Sequence, residues 1–160
     1  MSKAAALPIL MYHHVSPNPG LVTVAPATFR EHMEALARAG WRTVGLDAAA
    51  VFFRGEALPA KTCIVTFDDA YLDNQVHAAP VLADCGFRAA IFAVTGWMGE
   101  GPVRDGDQET PDHRECKRRI ATGDGDSVIL RWSEAERLQA AGTFEFHSHT
   151  HTHIRWDKTL

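Results

Sequence analysis

Cysteine is scarce in this 160-residue chain, and what there is forms no pattern. Cys63, Cys85 and Cys116 are odd in number, widely spaced and without a CxxC pair. Neither a disulfide framework nor a thiolate zinc site is indicated. Cys63 lies in an apolar run and reads as core; the others read as free thiols, a weak mark of a reducing compartment. An excess of one charge is missing too: the formal net charge is -4. That leaves no electrostatic footprint for nucleic acid. The basic run "KRR", Lys117 to Arg119, is short and reads as solvated surface. Long apolar runs are absent as well. The opening "MSKAAALPILMYHHV" is broken by Pro8 and ends at histidines, too short for a secretory h-region or a membrane span. As written the sequence reads as cytoplasmic. A periplasmic or extracellular location stays open if the start is a cloning or gene-model boundary.

What is present suits one domain over residues 1–160. Hydrophobic content of 46% and charged content of 22% are ordinary for a chain with a buried core. "LPILMY" (7–12) reads as a buried strand, and "SPNPGLVTVAP" as a loop rich in Pro, Gly and Asn. A helix over "TFREHMEALARAG" is expected, with Thr28 and Glu31 as a capping box and Gly40 as the stop. "WRTVGL" reads as a short strand and "DAAAVFFRG" as a helix starting at Asp47. In "KTCIVTFDD", Cys63 to Phe67 lack alternation, as expected for a strand buried on both faces of a parallel sheet. A helix through "QVHAAPVLADCG" follows, with Pro80 either kinking it or marking its first turn. "FRAAIFAVTGW" reads as a strand, and 99–126 as a long insertion of Gly, Asp, Arg and Pro. Ser133 and Glu136 suggest a second capping box, and "TFEF" a last strand. Strands alternating with helices predict an α/β fold with a parallel sheet. About five strands are too few for a closed (β/α)8 barrel, which takes ~250 residues. Either the sheet is open or the chain is part of a larger barrel.

Nearly half of the nine histidines fall in "FEFHSHTHTHI", at His147, His149, His151 and His153. Directly after the strand "IVTF" come Asp68 and Asp69, and after "LPILMY" come His13 and His14. Polar residues at the C-terminal ends of parallel strands line the ligand crevice in open sheets and barrels alike. Adjacent aspartates cannot do the same job. Successive side chains along an extended backbone diverge, so one can meet a metal while its neighbour accepts a proton from water. Two histidine pairs have i, i+4 spacing, 147 with 151 and 149 with 153, and either could grip one ion. In a continued strand all four would share a face. One Asp and two His with open positions suit a catalytic divalent ion such as zinc. Singly, each motif has a bland reading: a turn, a helix cap, or an adventitious metal-binding tract. Together, each behind a buried strand, they point to a metal site.

At these residues the chain resembles the polysaccharide deacetylase family, the NodB-homology or carbohydrate esterase family 4. The T-F-D-D motif stands verbatim as Thr66 to Asp69, followed by Ala70 where the family usually has Gly. H-[ST]-x-x-H matches His149 to His153. The resemblance implies Asp68 as catalytic base and Asp69, His149 and His153 as ligands of one divalent metal, most simply zinc. "LMYHHV" looks like the Tyr-His motif of the poly-N-acetylglucosamine deacetylase-like subgroup, which makes His13 the candidate general acid and His14 a weaker one. The implied fold is a distorted, parallel-stranded (β/α) barrel of NodB-homology type, here incomplete. The implied partner is an acetylated glycan, and the implied reaction hydrolysis of N-acetyl groups on an N-acetylhexosamine polysaccharide. Hydrolysis of an O-acetyl ester or another amide uses the same metal chemistry, and a non-catalytic glycan- or metal-binding module is the alternative of another class. The family's arginine-, tryptophan- and late histidine-bearing motifs are not found, so the sequence reads as a fragment. Tyr71, with Asp73 and Asn74, could line the cleft or form a turn into the next helix. Trp97 could stack on a sugar ring or pack in its loop. The resemblance extends from Leu7 to about Trp156.

Overall fold

The computed structural model describes residues 3–154; the last part of the region of resemblance, Arg155 and Trp156, lies outside them. Its centre is the run from Thr62 to Asp69 (β5), whose residues are buried along nearly the whole length. A strand covered on both faces needs no polar alternation, which is why "TCIVTF" is apolar or β-branched throughout. Beside β5 run β1 (Ile9–Tyr12) on one flank and β6 (Ala89–Ala93), then β7 (Phe144–Ser148), on the other, all parallel. The short β4 (Arg42–Thr43) also pairs with the start of β5, making five strands. The strands β2 (His14–Val15) and β3 (Thr23–Val24) form a separate parallel pair that folds the loop after β1 back on itself.

Register sorts the side chains. Tyr12, Phe67, Ile91 and Phe146 stand in one row across the sheet. Phe67 stacks on Tyr12 at 5.6 Å and meets Phe144 edge-on, while Phe29 from α1 (Pro26–Arg38) packs against it at 5.7 Å. Burying each such ring is worth roughly 1.5–3 kcal/mol, and this row anchors α1, α3 (Ala79–Asp84) and α5 (Trp132–Ala140). The opposite row, Met11, Thr66, Ala90 and Glu145, is covered less well. Met11 is 63% exposed and Ile9 54%. "LPILMY" is therefore not a buried strand: β1 is an edge, with no partner on its outer side among the described residues.

Several expected boundaries move for identifiable reasons. The first helix starts at Pro26 rather than at a Thr28 cap, because proline's fixed φ and missing N–H suit the first turn. The second helix, α2 (Leu46–Phe53), begins one residue before Asp47; its first amide, Leu46 N–H, donates to Glu145 Oε1 at 2.6 Å. In α5 the cap is Arg131 with Glu134, not Ser133 with Glu136; Ser133 instead donates to the Gly101 carbonyl. The helix read through residues 75–86 is a π-type turn, Asn74–Ala78, running into α3 with Pro80 in its first turn. The 99–126 insertion is not structureless. It contains α4 (His113–Ala121), capped by the Asp112 carboxylate accepting from Glu115 N–H.

Candidate active site

The C-terminal ends of β1, β5, β6 and β7 lie along one edge of the sheet, and the three polar clusters of the sequence meet there. Asp69 is the last residue of β5 and leaves it in the left-handed region, at φ 74°, followed by Ala70 at φ 60°. Non-glycine residues in this region cost free energy and persist where surrounding contacts fix them. The histidine turn after β7 repeats the feature at Thr150 (φ 68°) and His153 (φ 57°). This turn is tied to the segment after β6: Thr95 N–H donates to the Thr150 carbonyl, and Gly96 N–H to the His151 carbonyl at 2.9 Å. A side chain on Gly96 would overlap that carbonyl, so glycine is what lets the two segments touch.

The turn breaks the four-histidine pattern into two fates. His149 and His153 swing back over Asp69, with Nε2 atoms 3.9 and 3.5 Å from Asp69 Oδ1. Donor atoms of the three residues all lie within 4.8 Å of one another. His147 and His151 are elsewhere. His147 stays on the strand beside Glu145, and His151 Nδ1 meets the Thr95 hydroxyl at 3.1 Å. The continued strand with four histidines on one face does not form, because β7 ends at Ser148.

Does this trio suit a cation? Asp69 Oδ1 is buried and has no hydrogen-bond partner. A buried carboxylate oxygen left unpaired is costly, and a positive ion satisfies it. Two ligands on a tetrahedral ion with bonds of about 2.1 Å sit roughly 3.4 Å apart, close to the two separations from Asp69. Burial holds the His153 imidazole below its usual range, against the opposing pull of Asp69, and the neutral ring is the ligating form. The donor set and its spacing fit a zinc-type ion.

Asp68 is not a member of this trio. Its Oδ2 lies 3.7 Å from His13 Nε2, and both side chains keep partial access to solvent. His13 is set by the pairing of Tyr12 with Phe67 and by Asn74, whose Nδ2 donates to the His13 carbonyl at 2.8 Å. Two weaker candidates change status. Tyr71 and His14 are fully buried, stacked on one another with centroids 3.7 Å apart. With no exposed surface, Tyr71, read as a possible cleft residue, and His14, read as a weaker acid candidate and a weak candidate for binding substrate, are corrected to supporting residues. Trp97 is half-buried, 5.2 Å from the His153 ring, with Lys117 Nζ 4.4 Å above it. Asp73, read from sequence as a cleft or turn residue, holds His14, and two residues near the site were not singled out for it from sequence: His113 and Lys117, both on α4. Only a prediction of α4 could have drawn attention to the latter pair, by their i, i+4 spacing.

Comparison with known proteins identifies the family and the fold. Residues 55–159 match the family model described as polysaccharide deacetylase. A protein of Bacillus subtilis (strain 168) that bears the same family name, YxkH, is 39% identical over 98 residues, covering 61% of this chain and 35% of that protein. Among solved structures, IcaB from Ammonifex degensii superposes with a TM-score of 0.67 at 23% identity, over 89% of this chain and 52% of that one. The Streptococcus pyogenes deacetylase PplD, solved with acetate, gives 0.68 at 22% identity, over 96% and 58%. Fold and motifs thus define a parallel-stranded α/β protein of NodB type, with an incomplete barrel. The chain belongs to the polysaccharide deacetylase family. It spans about a third of the curated relative and about half of these solved chains.

Proposed function

We propose that the chain carries the metal-binding part of a hydrolase that removes N-acetyl groups from an N-acetylhexosamine polysaccharide. The observation that carries this is the juxtaposition of the Asp69, His149 and His153 trio with the Asp68–His13 pair on the same sheet edge. Asp69, His149 and His153 would hold one divalent cation, most simply zinc, leaving positions for water and substrate. Such an ion polarises an acetamide carbonyl and lowers the pKa of bound water. Asp68 accepts the proton of the attacking water as the new C–O bond forms. His13, protonated, gives its proton to the nitrogen as the C–N bond breaks, so acetate and a free amine leave. Trp97 beside the trio offers an aromatic face of the kind on which sugar rings stack.

The test is acetate release from N-acetylglucosamine oligomers by the zinc-loaded chain, with and without a chelator. Release abolished by chelator supports the reading. Tight zinc binding with no turnover of glycan would leave a binding module instead, and release from acetate esters alone would make the activity that of an esterase.

A further inference from the structure

A buried hydrogen-bonded chain lies next to the site and is used by none of the chemistry above. Asp73 and His14 are 3% and 0% exposed. Asp73 Oδ2 accepts from His14 Nδ1–H at 2.6 Å, and its other oxygen accepts from Val15 N–H and Asn74 Nδ2. His14 Nε2 faces His113 Nδ1 at 3.1 Å. Because an ionised carboxylate only accepts, Asp73 fixes the proton of a neutral His14 on Nδ1. His14 Nε2 is then a lone pair, and the 3.1 Å contact requires His113 to donate from its own Nδ1. With His14 in that neutral form the lone pair of His113 is on Nε2, which has no hydrogen-bond partner among the described residues. His113 is only partly buried, unlike the other two members.

The position of α4 makes this lone pair relevant. One turn after His113, Lys117 lies over Trp97, which itself packs against His153. The helix thus reaches from the end of β1 to the far side of the metal trio, like a wall along the cleft. Gly20 backs the wall, with no room for a side chain to stand between it and His113 without tight contact.

We propose that His113 Nε2 is a specificity-determining hydrogen-bond acceptor for a hydroxyl group of the sugar substrate, held in the Nδ1–H tautomer by the buried Asp73–His14 pair. This rests on the deacetylase reading. It adds a recognition contact that a plain acetate ester, lacking sugar hydroxyls, would not make.

Two readouts test it. Nitrogen-15 NMR of the ring atoms should show Nδ1–H tautomers for both His14 and His113 in the free protein, with the His113 preference lost in Asp73→Asn. Observing the Nε2–H tautomer of His113 in the wild type overturns the proposal whatever the activity. For kinetics, His113→Asn keeps a donor towards His14 but removes the Nε2 acceptor, whereas His113→Gln returns an acceptor near that position. The expected result is a rise in KM for an N-acetylglucosamine oligomer of about tenfold in the Asn variant, from loss of one hydrogen bond. The maximal rate should change little, the Gln variant should recover part of the loss, and acetate-ester hydrolysis should be unaffected. Glycan turnover with equal KM in wild type and both variants overturns this contact alone. No glycan turnover in the wild type overturns the deacetylase reading and this proposal together.

Discussion

The imidazole of His13 and the carboxylate of Asp68 face one another across 3.7 Å. They come from neighbouring parallel strands, each one residue beyond the paired positions Tyr12 and Phe67. The proton-accepting role proposed for Asp68 and the proton-donating role proposed for His13 can be told apart. Asp68→Asn should lower the maximal rate by roughly 10²–10⁴ on both amide and ester substrates, because water attack is common to both. His13→Ala should lower it by a similar factor on the glycan amide but much less on an aryl acetate. A phenolate leaves unprotonated, whereas an amine does not. Equal losses on the two substrates would remove His13 from the acid role.

Metal binding can be read without activity. Zinc at a hundredfold its Kd should stabilise the wild type by about 2.7 kcal/mol if it binds only the folded state, seen as a rise in Tm that a chelator reverses. Asp69→Asn, His149→Ala and His153→Ala should abolish the rise. His147→Ala and His151→Ala should keep it, since those rings lie against Glu145 and Thr95. Loss of the zinc effect in the second set would relocate the site.

Gly96 gives a subtler handle. It allows the histidine turn to lie against the segment after β6, where its amide donates to the His151 carbonyl. Gly96→Ala should displace the turn and weaken zinc binding by roughly 10-fold or more. Most of the sheet lies elsewhere, so denaturant stability in the presence of chelator should change far less than zinc affinity does. Unchanged affinity by calorimetric titration would show that the turn is held in other ways.

What could be read from the sequence divides along physical lines. The buried β5 and the polar residues at strand ends were legible, because a strand covered on both faces has an unmistakable composition and its end is where a cleft opens. The i, i+4 spacing left two histidine pairs open, and the resemblance favoured 149 with 153. The geometry that separates the pairs comes from left-handed backbone at Thr150 and His153, which no propensity announces. The edge position of β1 was hidden, since "LPILMY" is as apolar as a buried strand and only the absence of an outer neighbour exposes it. The helix α4 was masked by its charge: its apolar side is only Cys116 and Ile120, and the i, i+3 and i, i+4 pairing of Glu115 with Arg118 and Arg119, though local, was read as solvated surface. With α4 went His113 and Lys117.

The metal-free protein should lose stability in two steps as pH falls. His77, half-buried against Thr110, His113 and His153 all have pKa values lowered from 6.5, chiefly by burial. A base whose folded pKa is lowered binds protons less readily in the folded state. Below about pH 6.5 the unfolded chain takes up protons that the folded one refuses, and stability falls until the folded pKa is reached. A second loss follows below about pH 4.5, where Glu134 and Asp126, both lowered, begin to be protonated in the unfolded state. The carboxyl of Glu134 is depressed by Arg104 and backbone donors in spite of its burial, and that of Asp126 by Arg131. His77→Gln should flatten the first slope without moving the second, measured as Tm against pH in the presence of a chelator. An unaltered first slope would show that His77 titrates as it does in the unfolded chain.

Glu134 links the insertion to the rest of the fold. It is fully buried, with Oε1 accepting from Arg104 Nε at 2.8 Å and from Arg104 N–H, while Oε2 accepts from Arg131 N–H at the start of α5. Arg104 in turn donates to the carbonyls of Asp126 and Ile129. The pair therefore caps one helix and fastens both ends of the segment that contains α4. Removing one partner strands the other as a buried charge, at a cost of roughly 3–5 kcal/mol. Glu134→Ala and Arg104→Ala should each destabilise by about that amount in chemical denaturation. The double variant should be much less destabilised than the sum, because no lone charge remains. If the two losses simply add, each residue acts independently and the segment carrying His113 is anchored by something other than this ion pair.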